Sequence, residues 1–271
     1  MVVSIRLISA LLLCWLGFTQ ADPLRTALVI GNESYTVAPL KNPVNDARLV
    51  SAVLKSLGFQ VLLLENASLT QIQAASREWL LASKDAQVRF LYFAGHGVQI
   101  KGRNYLLPVE IRTLYPPDAI PNNAADLSTL IDRLSLFEDG VNLVVLDACR
   151  KIPGIRGQTQ PLSGFAAMPS PKGTLVAYST APGAVAQDGQ DTNNSVYTRN
   201  LIQLMKTPGL PVEDLFKLVR VAVVQETKRA QIPWESSSLM GEFCFKQTAN
   251  NACGNYMAGG LIKPSSVTLA K

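Results

Sequence analysis

The 271-residue chain predicts an α/β fold, a mostly parallel central sheet covered by helices on both faces. Three observations predict it. Short apolar runs of strand length end at a glycine or a polar residue, amphipathic stretches of helical period alternate with them, and two of the runs carry a reactive side chain, His96 or Cys149, at their exits. Apolar residues make up 48% of the chain, enough for one sizeable core, and no linker or internal repeat divides it.

The elements follow in order. Arg25 to Gly31 is an apolar strand ending at glycine. Asn42-Pro43 caps a helix whose Leu49, Val50, Val53, Leu54 and Leu57 fall at helical spacing before Gly58 ends it. Phe59 to Leu64 is a strand, Ser68 to Leu81 an amphipathic helix, and Val88 to Ala94 the strand that delivers His96. Tyr105 to Val109 is a short strand, and Ala124 to Leu134 a helix. Val141 to Leu146 is the strand that leads to Asp147-Ala148-Cys149-Arg150. Arg150 to Lys172, rich in Gly, Pro, Ser and Gln, is a long loop, and Thr174 to Ser179 a further strand. Ala181 to Asn194 is a second loop. Helices at Ser195 to Lys206 and Val212 to Lys228 precede a last strand, Leu239 to Phe245.

Composition narrows the function. The formal charge of +5 is mild, and its Lys and Arg are scattered without a basic stripe or interleaved aromatics, which argues against a nucleic-acid partner. Arg6, the apolar run Leu7 to Phe18 and the small residues before Asp22 have the layout of a secretory signal peptide over 1–21. That run is short for a membrane span; an uncleaved anchor is the rival reading. Leu13 before Cys14 does not fit a lipid-attachment site. The expected location is therefore export, periplasmic or secreted, with no membrane span once the signal is removed. Cys149, Cys244 and Cys253 then remain. Cys244 and Cys253 can close a short loop in an oxidising compartment, leaving Cys149 the odd, reactive thiol; three unpaired thiols is the alternative.

His96 is the only histidine, and Gly95 and Gly97 flank it. The glycines strip side chains from the backbone there, which suits a closely approaching substrate and leaves the Gly97 amide as a donor. Both His96 and Cys149 fall beyond the carboxyl ends of strands, where parallel sheets bind ligands. A thiol attacks as thiolate, and a nearby imidazole can take its proton. The pair is a Cys–His dyad for peptide-bond hydrolysis. With period-two alternation, Asp147 shares a face with Cys149.

Ala27-Leu28-Val29-Ile30-Gly31-Asn32, Phe93-Ala94-Gly95-His96-Gly97 and Leu146-Asp147-Ala148-Cys149-Arg150, in this order, resemble the caspase-like peptidases, which include metacaspases, paracaspases and bacterial relatives. The resemblance runs from about Arg25 to Phe245. It implies a caspase-like three-layer sandwich over 22–245, followed by a tail, 246–271. Asp147 stands where aspartate-cutting caspases have Gln. By resemblance to paracaspases, Asp46, Asp147 and Asp188 form an acidic pocket, so cleavage is expected after Arg or Lys. The ordinary readings are a solvated helix residue for Asp46, a turn residue for Asp188 and a strand-end cap for Asp147. In the implied mechanism Cys149 attacks, the amides of Gly97 and Cys149 hold the oxyanion, and His96 protonates the leaving amine. Arg150, Lys151, Arg156 and Lys172 offer self-cleavage sites, or are plain loop charges.

No Gly-x-Ser-x-Gly elbow, phosphate loop or zinc cluster is present, and acidic residues form no calcium loop, so no metal or cofactor is expected. The expected partner is a protein or peptide substrate, and a homodimer is left open. The rival function is a catalytically silent caspase-fold module that binds a partner through the same cleft; retention of both His96 and Cys149 favours the enzyme. A peptidase preferring aspartate is opposed by the acidic residues, and a redox role lacks a C-x-x-C partner for Cys149.

Overall fold

The computed structural model describes residues 24–36, 38–111, 117–137, 139–148, 165–181, 184, 194–248 and 253. Cys149, Asp188, the expected signal segment, most of the 150–172 loop and most of the 246–271 tail lie outside the described residues.

The chain runs β1 (Arg25–Gly31), α1 (Pro43–Ser56), β2 (Phe59–Glu65), α2 (Leu69–Ala82), β3 (Val88–Ala94), β4 (Gly97–Ile100) and β5 (Arg103–Leu106). It continues through α3 (Ile120–Asn123), β6 (Ala125–Asp126), α4 (Leu127–Leu134), β7 (Val141–Asp147), β8 (Thr174–Tyr178), α5 (Val196–Met205), α6 (Val212–Glu226) and β9 (Trp234–Ser237). Six strands form the main sheet in the order β2-β1-β3-β7-β8-β9. The first five are parallel and β9 is antiparallel to β8.

Strand parity splits the core into two layers. Val29, Phe90, Tyr92 and Val145 pack under α1, α5 and α6, while Ile30, Leu91, Phe93 and Leu146 pack under α2 and α4. Both faces are thus covered, which makes a three-layer sandwich and explains why β3 and β7 are mostly apolar and buried along their whole length. Each fully buried Leu or Phe contributes roughly 1.5–3 kcal/mol. The β3–β7 register pairs Ala94 with Asp147, so the two strands end side by side.

The helix starts have local causes. Pro43 presets the first turn of α1, but the Asn42 side chain makes no capping bond; the Glu33 carboxylate instead accepts the Val44 amide at 3.2 Å. Ser68 and Gln71 form a reciprocal capping box on α2.

Several elements differ from the sequence expectation. It has no counterpart of α3, and the helix expected from Ala124 begins at Leu127 because Ala125–Asp126 pairs with β5 as β6. The strand expected at Tyr105 to Val109 is β5, which ends at Leu106 and pairs with β4, a strand that the His96 turn concealed. The last strand is not Leu239 to Phe245 but Trp234–Ser237. Its polar sequence is tolerated because it lies at a sheet edge, half in water. The more apolar Phe243 and Phe245 are buried without a strand, and the Phe243 carbonyl accepts the Val212 amide at 2.7 Å.

Cys244 and Cys253 are joined in a disulfide with Cα atoms 5.5 Å apart, and both are buried. No helix among the described residues is long and apolar enough to cross a membrane. Among the described residues no three His, Cys, Asp or Glu side chains cluster as metal ligands.

Candidate active site

His96 leaves β3 two residues beyond Ala94 and is buried. Its backbone is clamped: the His96 amide donates to the Tyr35 hydroxyl at 2.9 Å, and that hydroxyl donates to the Leu107 carbonyl at 3.1 Å. The Leu107 amide returns a bond to the His96 carbonyl at 3.0 Å. The Tyr35 ring packs on the imidazole with centroids 4.4 Å apart. His96 Nε2 lies 2.7 Å from the Ala38 carbonyl. A carbonyl only accepts, so Nε2 carries the proton and the neutral ring keeps its lone pair on Nδ1. Ala38 reaches this position in the left-handed region, at φ 55°.

Packing from within leaves no room for a side chain at either flanking glycine. A Cβ on Gly95 would lie 2.7 Å from the Tyr35 hydroxyl oxygen, and one on Gly97 would lie 2.1 Å from Cζ of Phe165. The β4–β5 register does not use the Gly97 amide. Gly97 faces Leu106, and the Leu107 amide bonds to the His96 carbonyl, so Gly97 and Leu106 form a pair without mutual hydrogen bonds. The Gly97 N–H therefore points away from β5.

Asp147 ends β7 on the α5 side of the sheet and is 2% exposed. Its Oδ2 accepts the Ser195 hydroxyl and, at 3.1 Å, the Thr198 hydroxyl. Thr198 lies 2.6 Å from the Tyr92 hydroxyl; since Thr198 donates to Asp147, Tyr92 is the donor. Burial, reinforced by the charges of Asp46 and Asp147, holds the Tyr92 phenol well above its ordinary value, so it stays a neutral donor. Asp147 Oδ1 is buried and has no hydrogen-bond partner among the described residues. The Ser179 and Tyr197 hydroxyls, on β8's exit and on α5, share that state.

Asp46 is not the solvated helix residue that α1's sequence allows. It is 2% exposed, and its Oδ1 accepts the Ser195 amide at 3.0 Å and the Asn194 side-chain amide at 2.9 Å. The structure thus brings Asp46 and Asp147 to one residue, Ser195. Asp188 and Cys149 lie outside the described residues; the described strand exit stops at Ala148, which is fully buried. Sequence reasoning missed Tyr35, Ala38 and Ser195. Only Ser195 had a readable signal, as a cap before an apolar helical run; its link to two distant carboxylates had none. A cavity of about 260 Å³ opens between α2 and α4, on the opposite face of the sheet. Neither histidine nor cysteine lines it.

A sheet in this strand order, with a lone histidine and an acidic strand exit adjoining at its carboxyl end, defines a class. The caspase domain family matches over residues 24–244, and the chain belongs to that family. The family is one of cysteine peptidases, whose substrates are proteins. The chain is 30% identical over 128 residues to mucosa-associated lymphoid tissue lymphoma translocation protein 1 of Homo sapiens, and 31% identical to its homolog of Mus musculus. Each match covers 47% of this chain and 15% of the relative. Among solved structures, caspase-1 from Spodoptera frugiperda superposes with a TM-score of 0.62 at 19% identity. That likeness covers 83% of this chain and 91% of the other, and concerns the fold.

Proposed function

We propose that this chain is a cysteine endopeptidase that cleaves after Arg or Lys, with Cys149 as nucleophile and His96 as its base and acid. The observation that carries the reading is the Ala94–Asp147 register. It sets the chain entering His96 against the chain entering Cys149, one peptide unit past Ala148, at the strand spacing of about 4.8 Å. With Nε2 committed to the Ala38 carbonyl, Nδ1 is the nitrogen that takes the thiol proton. The thiolate attacks the scissile carbonyl carbon, and the oxyanion accepts from the amides of Gly97 and Cys149. Collapse of the adduct expels the amine, protonated by His96, and water then releases the acyl chain from sulfur.

The Arg or Lys preference rests on Asp46 and Asp147. Both carboxylates are buried, and one oxygen of Asp147 has no protein donor among the described residues. A buried carboxylate oxygen without a donor is costly, and a guanidinium or ammonium relieves it. Asp188, outside the described residues, is assigned to the same pocket by the resemblance to paracaspases alone. A carboxylate beside a thiol opposes thiolate formation; the Ser195 and Thr198 hydroxyls hold Oδ2 on the α5 side and limit that effect.

The test is hydrolysis of short reporter peptides ending in Arg, Lys or Asp by the mature chain. Cleavage after Arg or Lys is expected, with at least a thousandfold loss (about 4 kcal/mol) in Cys149→Ala and in His96→Ala. Undiminished activity in Cys149→Ala rejects the mechanism. A folded chain that binds these peptides without cutting them supports the silent module instead. The Cys244–Cys253 disulfide favours an oxidising compartment, and with the signal-like start we propose export to the periplasm or medium. Sequencing of the mature amino terminus is expected to begin at Asp22; a start at Met1 contradicts signal removal.

A further inference from the structure

We infer that Ser195 is the positioning residue of the acidic pocket, holding Asp46 and Asp147 in one fixed arrangement that selects a guanidinium. This rests on the Arg or Lys reading above and deepens it. Ser195 is fully buried and stands at the N-cap of α5. Its amide donates to Asp46 Oδ1 at 3.0 Å, and its hydroxyl donates to Asp147 Oδ2. The same oxygen accepts the Thr198 amide at 3.0 Å, which caps the helix.

The bonds leave no slack. A serine hydroxyl has one proton, and the Thr198 amide occupies the acceptor side, so the proton is directed at Asp147. Thr198, itself receiving from Tyr92, donates to the same carboxylate oxygen. Two hydroxyl donors on Oδ2 stop the carboxylate from turning and leave Oδ1 as the oxygen without a protein partner among the described residues. Asp46 sits on α1 and Asp147 on β7, far apart in the chain. Ser195 binds both, so its placement sets the separation of two charges that a planar, forked cation must match. An ordinary helix cap would contact neither.

A purely structural cap and a positioning residue predict different results. The readout is the ratio of kcat/KM for a peptide ending in Arg to that for the same peptide ending in citrulline, a neutral group of nearly the same shape. Ser195→Gly is the informative variant, because glycine still starts a helix well but has no hydroxyl. Ser195→Ala is measured beside it, with Ser68→Ala, the N-cap of α2, as a remote control.

The Arg-to-citrulline ratio is expected to fall on the order of tenfold or more in Ser195→Gly and Ser195→Ala. It should be partly restored in Ser195→Thr and unchanged in Ser68→Ala. Alkylation of Cys149 by iodoacetamide, which needs no pocket, is expected to change far less than this ratio in Ser195→Gly, because Thr198 still donates to Asp147 Oδ2. If the wild type shows the Arg preference and Ser195→Gly retains it, the positioning role is overturned while the protease reading stands. If the wild type lacks the preference, the acidic-pocket reading fails and this inference fails with it. If Ser195→Ala does not fold, Ser195→Gly and Ser195→Thr decide the matter.

Discussion

The central sheet buries a charge at each end, and the two are treated differently. At the amino end of β3, Arg89 is 2% exposed, and each of its guanidinium nitrogens is used. They donate to the carbonyls of Ser83 at 2.9 Å, Asp139 at 2.8 Å and Lys84 at 3.2 Å, and the group lies over the Phe137 ring at 3.9 Å. Burial lowers its pKa to about 10, so it remains a cation at neutral pH. At the carboxyl end of β7, Asp147 is as buried, yet one of its oxygens has no donor among the described residues. A buried charge with every nitrogen engaged pins three carbonyls and serves stability. A buried charge with a bond left over among the described residues is the feature on which the proposed pocket for a basic side chain rests.

The contrast can be broken from either side. The largest effect is expected from Arg89→Met, which strips donors from three carbonyls; a stability loss of roughly 3–5 kcal/mol in urea unfolding is predicted. Peptidase activity per folded molecule should be unchanged, and a matching loss of kcat/KM would show that the two ends are coupled. Asp147→Asn should do the reverse. The amide oxygen still accepts from Ser195 and Thr198, so stability changes by less than about 1 kcal/mol. Cleavage after Arg is expected to fall about a hundredfold, roughly 2.7 kcal/mol. Unaltered selectivity would return Asp147 to a strand-end cap.

A smaller effect is expected at the turn between β3 and β4. Gly97→Ala drives a methyl group into the Phe165 ring and should cost about 1–3 kcal/mol. Phe165→Leu in the same chain is expected to recover part of both stability and activity, measured by thermal melting and reporter cleavage. No recovery would mean that the Phe165 ring is not what forbids a side chain there.

The smallest effect concerns an ion pair that touches no part of the site. Arg48 donates to both oxygens of Glu65, at 2.8 and 2.6 Å, and this hydrogen bonding holds the Glu65 carboxyl below its ordinary value. A depressed carboxyl pKa gives stability that is present above the unfolded value of 4.5 and is lost as pH falls through the folded value. Arg48→Gln should lower stability slightly at neutrality and flatten the acid side of the curve, so that variant and parent converge at low pH. An identical acid profile in the variant would show that the pair contributes nothing.

Most of the fold was legible because its strands are interior. Val88–Ala94 and Val141–Asp147 are buried on both faces, so each appears as a largely apolar run, Phe90 to Ala94 and Leu143 to Leu146. Edge strands carry no such mark. Trp234–Ser237 is mostly polar, and the apolar stretch after it misled because core burial does not require a strand. At the site, His96 and Asp147 were readable from their places just past those runs. Ser195 was readable only as a cap, because its bonds to Asp46 and Asp147 join segments that no local pattern connects. Ala38 was hidden by its left-handed backbone, a conformation that alanine rarely adopts. The glycines beside His96 were readable as bare backbone, whereas the packing of Tyr35 and Phe165 against them had no local signal.

The central claim is that the exits of β3 and β7 form one cleft in which the thiol meets a basic substrate side chain. Treating the mature chain with a peptidyl arginyl chloromethyl ketone and mapping the adduct by mass spectrometry tests it directly. The account predicts a single adduct on Cys149, strongly slowed in His96→Ala and Asp147→Asn, and little reaction with the aspartyl reagent. Labelling of another residue, or Cys149 labelling at equal rates by the arginyl and aspartyl reagents, would contradict it.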